Sequence, residues 1–516
     1  MSSNSLKNNS LSVAEIRAID ENAEFLGVPR LLLMENAGRA IVEEIAKRFE
    51  PRDLEVLILA YIGNKGGDGF VVARQLASLG SKVTVILLER PERIASKEAR
   101  LNFEALLKME RSIRLIIAPD SAELKKTREL FEEADVIVDA LLGTGIRGPL
   151  REPVLTAVEA INASGKFVVS IDVPTGVDPD TGEVSGKAVT ANLTITHHKP
   201  KKGFANPEAK PYLGELVVAS IGIPPEAEFF AGPGDLRMAV KKRSPTSHKG
   251  ENGRVLIVGG SKDFSGAPAL AALAALRAGV DLAYIAAPSS TANAIRSFSP
   301  NLIVCSYPGE YLTEKAFPMI EKLLPRCDAV AVGPGLGLEA ETMDSCLTLI
   351  EKCSSLGLPM VVDADAIKAL ARNTEVVKES TTVITPHAGE FKILTGVMLP
   401  SEAEDWEKRI EVVKENAGRL GVTLLLKAHY DIITDGERVK VNRTGSPGMT
   451  VGGTGDVLTG ITLAFLAQGA SPFRAAVAAA FINGYAGELL SKKMGYHFTA
   501  LDLVETLPEA FSHFNL

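Results

Sequence analysis

Short apolar runs that end in glycine-rich loops and pass straight into helical patterns recur along this chain. The first run, residues 54–60, stops at Gly63-Asn64-Lys65-Gly66-Gly67-Asp68-Gly69 and continues as FVVARQLASLG. Further runs occupy 82–88, 135–141 and 167–171, with a helical stretch at 152–163. Ser12 and Glu15 form the pattern of a capping box that opens a helix, and a second helix spans 31–49 after Pro29. Strands that alternate with helices need crossover connections, which predicts an α/β chain with a parallel, doubly wound sheet.

At 516 residues, two to four domains are expected. A second α/β series starts at 254–258, runs through strands near Ala329, Met360, Val383 and Leu424, and closes with Ala-rich helices at 455–467 and 472–491. Between the series, AGPGDLRMAVKKRSPTSHKG is rich in Pro, Gly and charge, as a linker is. The expected domains are 1–225 and 226–516, with different loop motifs and so no internal repeat. Hydrophobic residues at 46% and charged residues at 23% exclude a largely disordered or fibrous chain.

A net charge of −8 argues against nucleic acid as a partner, since that needs a basic footprint. The first ten residues lack the apolar stretch of a signal peptide, and the best apolar run, 266–288, is broken by Arg277 and Asp281. A cytoplasmic protein with no membrane partner is expected. Cys305, Cys327, Cys346 and Cys353 contain no CxxC spacing, so they read as buried thiols rather than zinc ligands. Only two glutamines occur, a weak sign of a thermophilic source.

In the first half the Gly63–Gly69 loop is neither GxGxxG nor a P-loop, yet its glycines and helix start suit an anion. A second loop, Gly143-Thr144-Gly145-Ile146-Arg147-Gly148-Pro149, follows Asp139, and a third strand end carries Asp172 and Thr175. Ligands of open α/β sheets bind beyond the carboxyl ends of strands, where these loops converge. One strand-end Asp is usually a helix cap; three beside two glycine loops point to a site.

In the second half glycines follow a strand at Gly333-Pro334-Gly335-Leu336-Gly337, and polar groups follow others at Asp363, Asp365 and His387. Gly452-Gly453-Thr454-Gly455-Asp456 directly precedes a long helix. Amides at that helix start can hold a transferring phosphoryl group, and Asp456 can take a proton from an attacking hydroxyl. His387 reads as a structural hydrogen-bonder or, the favoured reading given Pro386 and Glu390 in the same strand-to-helix turn, as a substrate contact. The runs KPKK (199–202) and KKR (241–243) read as solvated surface, and Trp406 as packing.

The segments MENAG, GNKGGDGFVVAR, DALLGTGIRG and SIDVPTGVD strongly resemble the NAD(P)H-hydrate epimerase family over about residues 11–225. The resemblance implies a Rossmann-like three-layer domain that interconverts R and S hydrates of NADH or NADPH. By the same likeness Asn64, Lys65, Gly66, Gly67, Asp68, Gly143, Thr144, Gly145, Ile146, Arg147, Gly148, Pro149 and Asp172 bind substrate. Asp172 would be the acid/base, a role that suits a carboxyl raised toward neutrality by burial. Asn64, Asp139 and Thr175 would hold a potassium ion. The family usually reads Asn-Asn-Gly-Gly-Asp, whereas Lys65 stands at the second position here. Its ammonium either replaces the alkali cation or, the preferred reading, points to solvent. Epimerisation at C6 can run by ring opening or through an iminium, and the sequence leaves both open.

SHKG, SGAP, AVGPGLG, VVDADAI, ITPHAGE, LLLKAHYDIITDG and GGTGDVLTG resemble the ribokinase-like ADP- or ATP-dependent NAD(P)H-hydrate dehydratases over about residues 230–516. The resemblance implies that a nucleotide with Mg2+ phosphorylates the C6 hydroxyl and that phosphate then leaves. It places Ala267, Gly335, His387 and Asp456 on the hydrate, with Asp456 catalytic, and Lys427, Ala428, His429, Tyr430, Asp431 and Gly455 on the nucleotide. The family's usual small residues after the lysine are replaced by Ala428, His429 and Tyr430. The expected protein is a fused, bifunctional repair enzyme, favouring ADP by analogy and forming a homo-oligomer. The alternatives are a small-molecule kinase and a non-enzymatic module of an RNA-processing scaffold.

Overall fold

The computed structural model describes residues 10–145, 148–401 and 405–516. The chain divides into two compact units, Met1–Pro224 and Pro225–Leu516.

The first unit is built on seven strands: β1 (Glu55–Ala60), β2 (Lys82–Leu87), β3 (Ile113–Ile117), β4 (Val136–Ala140), β5 (Phe167–Ile171), β6 (Leu193–His197) and β7 (Glu215–Ala219). Their order is β3-β2-β1-β4-β5-β6-β7, and every pairing is parallel. Alternate residues serve opposite faces. Val56, Ile58 and Ala60 pack with Ile41, Phe70 and Val71, whereas Leu57 and Leu59 pack with Phe131, Val158 and Ile161. Helices therefore cover both faces, giving three layers. The chain runs outward from β1 to β3 and returns to β4 beside β1. Connections leave in opposite directions there and open a crevice at the strands' carboxyl ends. The Gly143 loop and Asp172 follow strands at that end, and so does residue 63, after which the expected glycine loop is instead the first turns of a helix that begins at Asn64.

The second unit repeats the principle with nine strands. They are β8 (Arg254–Val258), β9 (Leu282–Pro288), β10 (Ile303–Tyr307), β11 (Ala329–Val332), β12 (Met360–Val362), β13 (Thr382–Ile384), β14 (Thr423–Leu426), β15 (Asp431–Thr434) and β16 (Val439–Asn442). The order is β10-β9-β8-β11-β12-β13-β14-β15-β16, so the switch lies between β8 and β11. The pairings are parallel as far as β14; β15 and β16 add antiparallel. On one face lie the helices Gly266–Arg277, Thr454–Ala467 and Pro472–Met494, rich in buried alanine. A Cβ on Gly460 would sit 2.1 Å from the Ala271 carbonyl oxygen, so glycine there sets how closely the first two approach.

The Ser12–Glu15 capping box forms as expected. Cys327, Cys346 and Cys353 are buried and Cys305 is half-buried. Trp406 packs edge-on against Phe229. Among the described residues no helix is long and apolar enough to cross a membrane.

Candidate active sites

In the first unit the helix Asn64–Ser78 starts three residues after β1, with Lys65 to Gly69 all buried. A Cβ on Gly66 would lie 1.9 Å from the Tyr61 carbonyl oxygen. That glycine lets the helix sink onto its own strand end, so close backbone approach here serves the protein rather than a phosphate. The same sinking carries the Lys65 side chain inward. Its ammonium donates to Asp139 Oδ2 at 2.9 Å, the Val173 carbonyl at 2.8 Å and Thr175 Oγ1 at 3.1 Å, with the Leu142 carbonyl at 3.3 Å. Lys65 therefore does not point to solvent. Asp139, fully buried, also accepts from Ser170 Oγ and the Thr175 amide at 2.9 Å and from the Thr175 hydroxyl at 2.6 Å. Burial pulls the Lys65 pKa below its ordinary value, opposed by the Asp139 carboxylate.

Asp172 sits just past β5 in the left-handed region at φ 60°, a costly conformation for a residue with a Cβ. One carboxylate oxygen accepts from the Lys201 ammonium, from the His197 amide at 3.1 Å and from Thr196 Oγ1 at 3.2 Å. Lys201 is 1% exposed, so the KPKK run is not all surface; only Lys202 of these two lysines is exposed. Burial alone pushes the Asp172 pKa up, as expected from sequence, but Lys201 and the His197 contacts together outweigh it and hold the carboxyl well below the usual range. The raised carboxyls are others. Burial, helped by the Asp172 and Asp20 charges, pushes Asp68 well above the carboxylate range, and burial lifts Asp20 to about 6. Burial lowers His197 to about 4, so its ring is neutral near pH 7.

These groups line a cavity of about 750 Å3. Asn64, Lys65, Asp68, Gly143, Thr144, Gly145, Pro149 and Asp172 reach its wall; Gly66, Gly67 and Gly148 do not. Ile146 and Arg147 lie outside the described residues. Asp20, His197 and Lys201 also line it, and sequence reasoning missed all three. Only the lysine had a local signal, in a run that looked like surface.

In the second unit Asp363, at the end of β12 and 2% exposed, ties three elements together. It accepts from Lys427 Nζ past β14 at 2.8 Å, from Thr385 Oγ1 past β13 at 2.7 Å and from Thr459 Oγ1 of the long helix at 2.7 Å. Lys427 Nζ is also 3.9 Å from Glu390 Oε2. A Cβ on Gly455 would be 3.6 Å from Lys427 Nζ, so the ammonium stands beside the helix N-terminus, where both favour an anion. Asp456 lies in that first turn. Burial, reinforced by the Asp363 charge and opposed by Lys427, lifts it to about 7.

The remaining candidates gather around this centre. Gly333, at φ 134°, leaves no room for a Cβ, which would fall 1.8 Å from the Asp363 carbonyl oxygen. A Cβ on Gly335 would be 3.4 Å from the Ala267 Cβ, and the Gly337 amide donates to Asp365 at 3.0 Å. His387 bridges Lys427 through the backbone. Its Nδ1 accepts from the Gly389 and Glu390 amides at 3.0 and 3.3 Å, which makes it the cap of the helix Ala388–Thr395. His387 is thus a helix cap through Nδ1, while the rest of its ring stays exposed. The Ala428 amide donates to Asp431 at 3.0 Å, and the His429 and Tyr430 rings lie 4.5 Å apart.

The NAD(P)H-hydrate dehydratase family matches residues 255–509, and the YjeF-related protein N-terminus family matches residues 30–203. A bifunctional NAD(P)H-hydrate repair enzyme from Pyrobaculum aerophilum is 48% identical over 98% of this chain and 98% of its own. The enzyme of that name from Hyperthermus butylicus is 46% identical over 98% of this chain and 92% of its own. An ADP/ATP-dependent NAD(P)H-hydrate dehydratase from Bacillus subtilis, co-crystallised with ATP and Mg2+, is similar at TM-score 0.45 and 26% identity, over 55% of this chain and 98% of that one. The chain therefore belongs to the bifunctional NAD(P)H-hydrate repair enzymes, with an epimerase unit followed by a dehydratase unit.

Proposed function

We propose that residues 1–225 interconvert the R and S forms of hydrated NADH and NADPH, and that residues 226–516 return the S form to the reduced dinucleotide using ADP or ATP with Mg2+. The observation that carries the dehydratase reading is the Lys427 ammonium, fixed by Asp363 beside Gly455 and Asp456. A cation, helix amides and a carboxyl near neutrality then converge where a phosphoryl group would transfer.

In the dehydratase unit Asp456 takes the proton of the C6 hydroxyl as its oxygen receives the phosphoryl group from the nucleotide. The ring nitrogen lone pair then expels phosphate, a far better leaving group than hydroxide, and restores the reduced ring. Lys427 and the Gly455 amide face the phosphate oxygens. Ala428, His429, Tyr430 and Asp431 form the adenosine side; Ala267, Gly335 and His387 form the hydrate side. Among the described residues no three His, Cys, Asp or Glu side chains cluster as a metal cage. Mg2+ fits this site as the counter-ion of the nucleotide phosphates, whose charge it neutralises.

In the epimerase unit Asn64, Asp68, Gly143, Thr144, Gly145, Pro149 and Asp172 contact the hydrate from the cavity wall. Asp172, held ionised beside Lys201, is placed to accept a proton, and Asp68, whose pKa burial raises, is placed to donate one. That pairing favours ring opening. Asp172 takes the C6 hydroxyl proton, the C6–N1 electrons pass to the ring nitrogen, and Asp68 protonates it. Closure on the other face of the aldehyde returns the opposite hydrate. Potassium is given no part, because Asp139 and Thr175 are already bonded to Lys65.

The test is to incubate the full chain with mixed R and S NADH hydrates, ADP or ATP, and Mg2+, and to follow NADH absorbance. Recovery of both forms is expected. Recovery of the S portion alone sinks the epimerase reading. No recovery with either nucleotide sinks the dehydratase reading and leaves a small-molecule kinase.

A further inference from the structure

We infer that the Lys65 ammonium is a tethered monovalent cation that fills the seat otherwise expected to hold potassium, and that the first unit therefore works without an alkali metal. The donor set is that of a hard cation: one carboxylate oxygen, one hydroxyl and two backbone carbonyls converge on a single point. That point carries the lysine nitrogen. All three N–H groups are engaged by the contacts at 2.9, 2.8 and 3.1 Å, so none is left to turn toward an ion or solvent.

Asp139 has no spare capacity for a second cation. Its oxygens already take the Lys65, Ser170 and Thr175 donors. A potassium ion at these oxygens would also stand within a few ångströms of a buried like charge, where screening by water is weak. Asn64, the remaining residue expected to hold the ion, is exposed and is not among the partners of the seat. The lysine stem is held as well as its head: a Cβ on Gly143 would lie 3.6 Å from both Lys65 Cβ and Cδ, so the stem runs along that loop.

The consequence is positional. One nitrogen ties the end of β4, through Asp139 and Leu142, to the turn after β5, through Val173 and Thr175. Asp172, held at positive φ, immediately precedes that turn. An alkali ion would give the same cross-link, but its strength would depend on ion concentration. A covalently attached ammonium gives it whatever the ion concentration. Lys65 is in this sense a positioning residue for Asp172. The inference rests on the epimerase reading for its activity measurement only; the melting measurement stands without it.

The test compares the wild-type chain and Lys65→Asn in a tetramethylammonium buffer free of potassium and with potassium added. For the wild type we expect epimerisation to change less than twofold on adding potassium, and the first unit's melting temperature not to move. For Lys65→Asn we expect at least a tenfold loss without potassium, restored by potassium, with a melting temperature that rises with its concentration. A wild type that loses activity or melts lower without potassium overturns the inference, as does a Lys65→Asn variant equal to wild type in potassium-free buffer. If Lys65→Asn does not fold, the wild-type melting series decides alone. If no epimerisation occurs under any ionic condition, the epimerase reading fails and the melting series still decides this one.

Discussion

Lys427 Nζ lies 2.8 Å from Asp363 Oδ1, across 64 residues of sequence, and this one ion pair joins the stability of the second unit to its chemistry. Replacing the lysine by methionine leaves a buried carboxylate with only two threonine hydroxyls. Breaking a buried pair from one side costs about 3–5 kcal/mol. Lys427→Met should lower the second unit's stability by that order in denaturant titration. Dehydration should fall steeply while epimerisation persists. A variant with unchanged stability would show that water, rather than the ammonium, solvates Asp363.

Asp456 should impose its own pH dependence on dehydration. As a base it must be ionised, and its pKa is raised to about 7. The rate at saturating substrate should rise about tenfold per pH unit below 7 and level off above it. A plateau already reached near pH 5 would remove Asp456 from the role. The linkage has a definite sign. Between an unfolded pKa of about 3.9 and the folded value, the native state holds a proton that the unfolded chain has lost. The penalty for ionising the buried carboxyl therefore grows with pH and is complete above about 7. Asp456→Asn should abolish dehydration yet stabilise the protein at pH 8, by at most about 4 kcal/mol at 1.36 kcal/mol per unit.

Lys201→Met tests the opposite case. The folded pKa of Asp172 is depressed, so the pair stabilises the protein above the unfolded value of about 3.9 and the contribution fades as pH falls. The variant should be less stable than wild type by about 3–5 kcal/mol at pH 7, with the gap closing in melts taken below pH 4. Epimerisation should move to higher pH, because Asp172 then ionises later. A stability gap independent of pH would mean that Lys201 acts through packing of its stem.

Two glycines of the first site should separate packing from function. Gly66→Ala drives a Cβ to 1.9 Å from the Tyr61 carbonyl, a backbone atom that cannot swing away. It should cost about 3 kcal/mol or more in the first unit. Gly145→Ala meets nothing within 4 Å and should stay within about 0.5 kcal/mol in the same melt. Equal costs would show that Gly66 does not set the helix depth.

What the sequence determined by itself is local or periodic. The apolar run of β1, the Ser12–Glu15 box and the glycine turns ahead of the helices Asn64–Ser78 and Thr454–Ala467 are written within a few residues. The order of strands and helices then sends Asp172 in the first unit and Asp363 in the second each to the carboxyl end of its own sheet, since crossovers leave no other place for strand-end loops. Some strands, both edge ones and the internal β6 and β9, were harder to read. β3 and β10 are only partly buried, so no clean apolar pattern marks them, and β15 lies inside the LLLKAHYDIITDG motif rather than standing as a run of its own.

Only the tertiary structure decided the charges. Lys65 and Lys201 look like surface in their own neighbourhoods. Each is buried because a carboxylate arrives from elsewhere in the chain, 74 residues away at Asp139 and 29 residues away at Asp172. Those pairings put an ammonium among the oxygens expected to hold an alkali cation, and they lower the Asp172 pKa that burial alone would raise, while burial raises that of Asp68. A charged side chain's burial and protonation depend on what stands within a few ångströms of it, and hydrophobic periodicity carries no record of that distance.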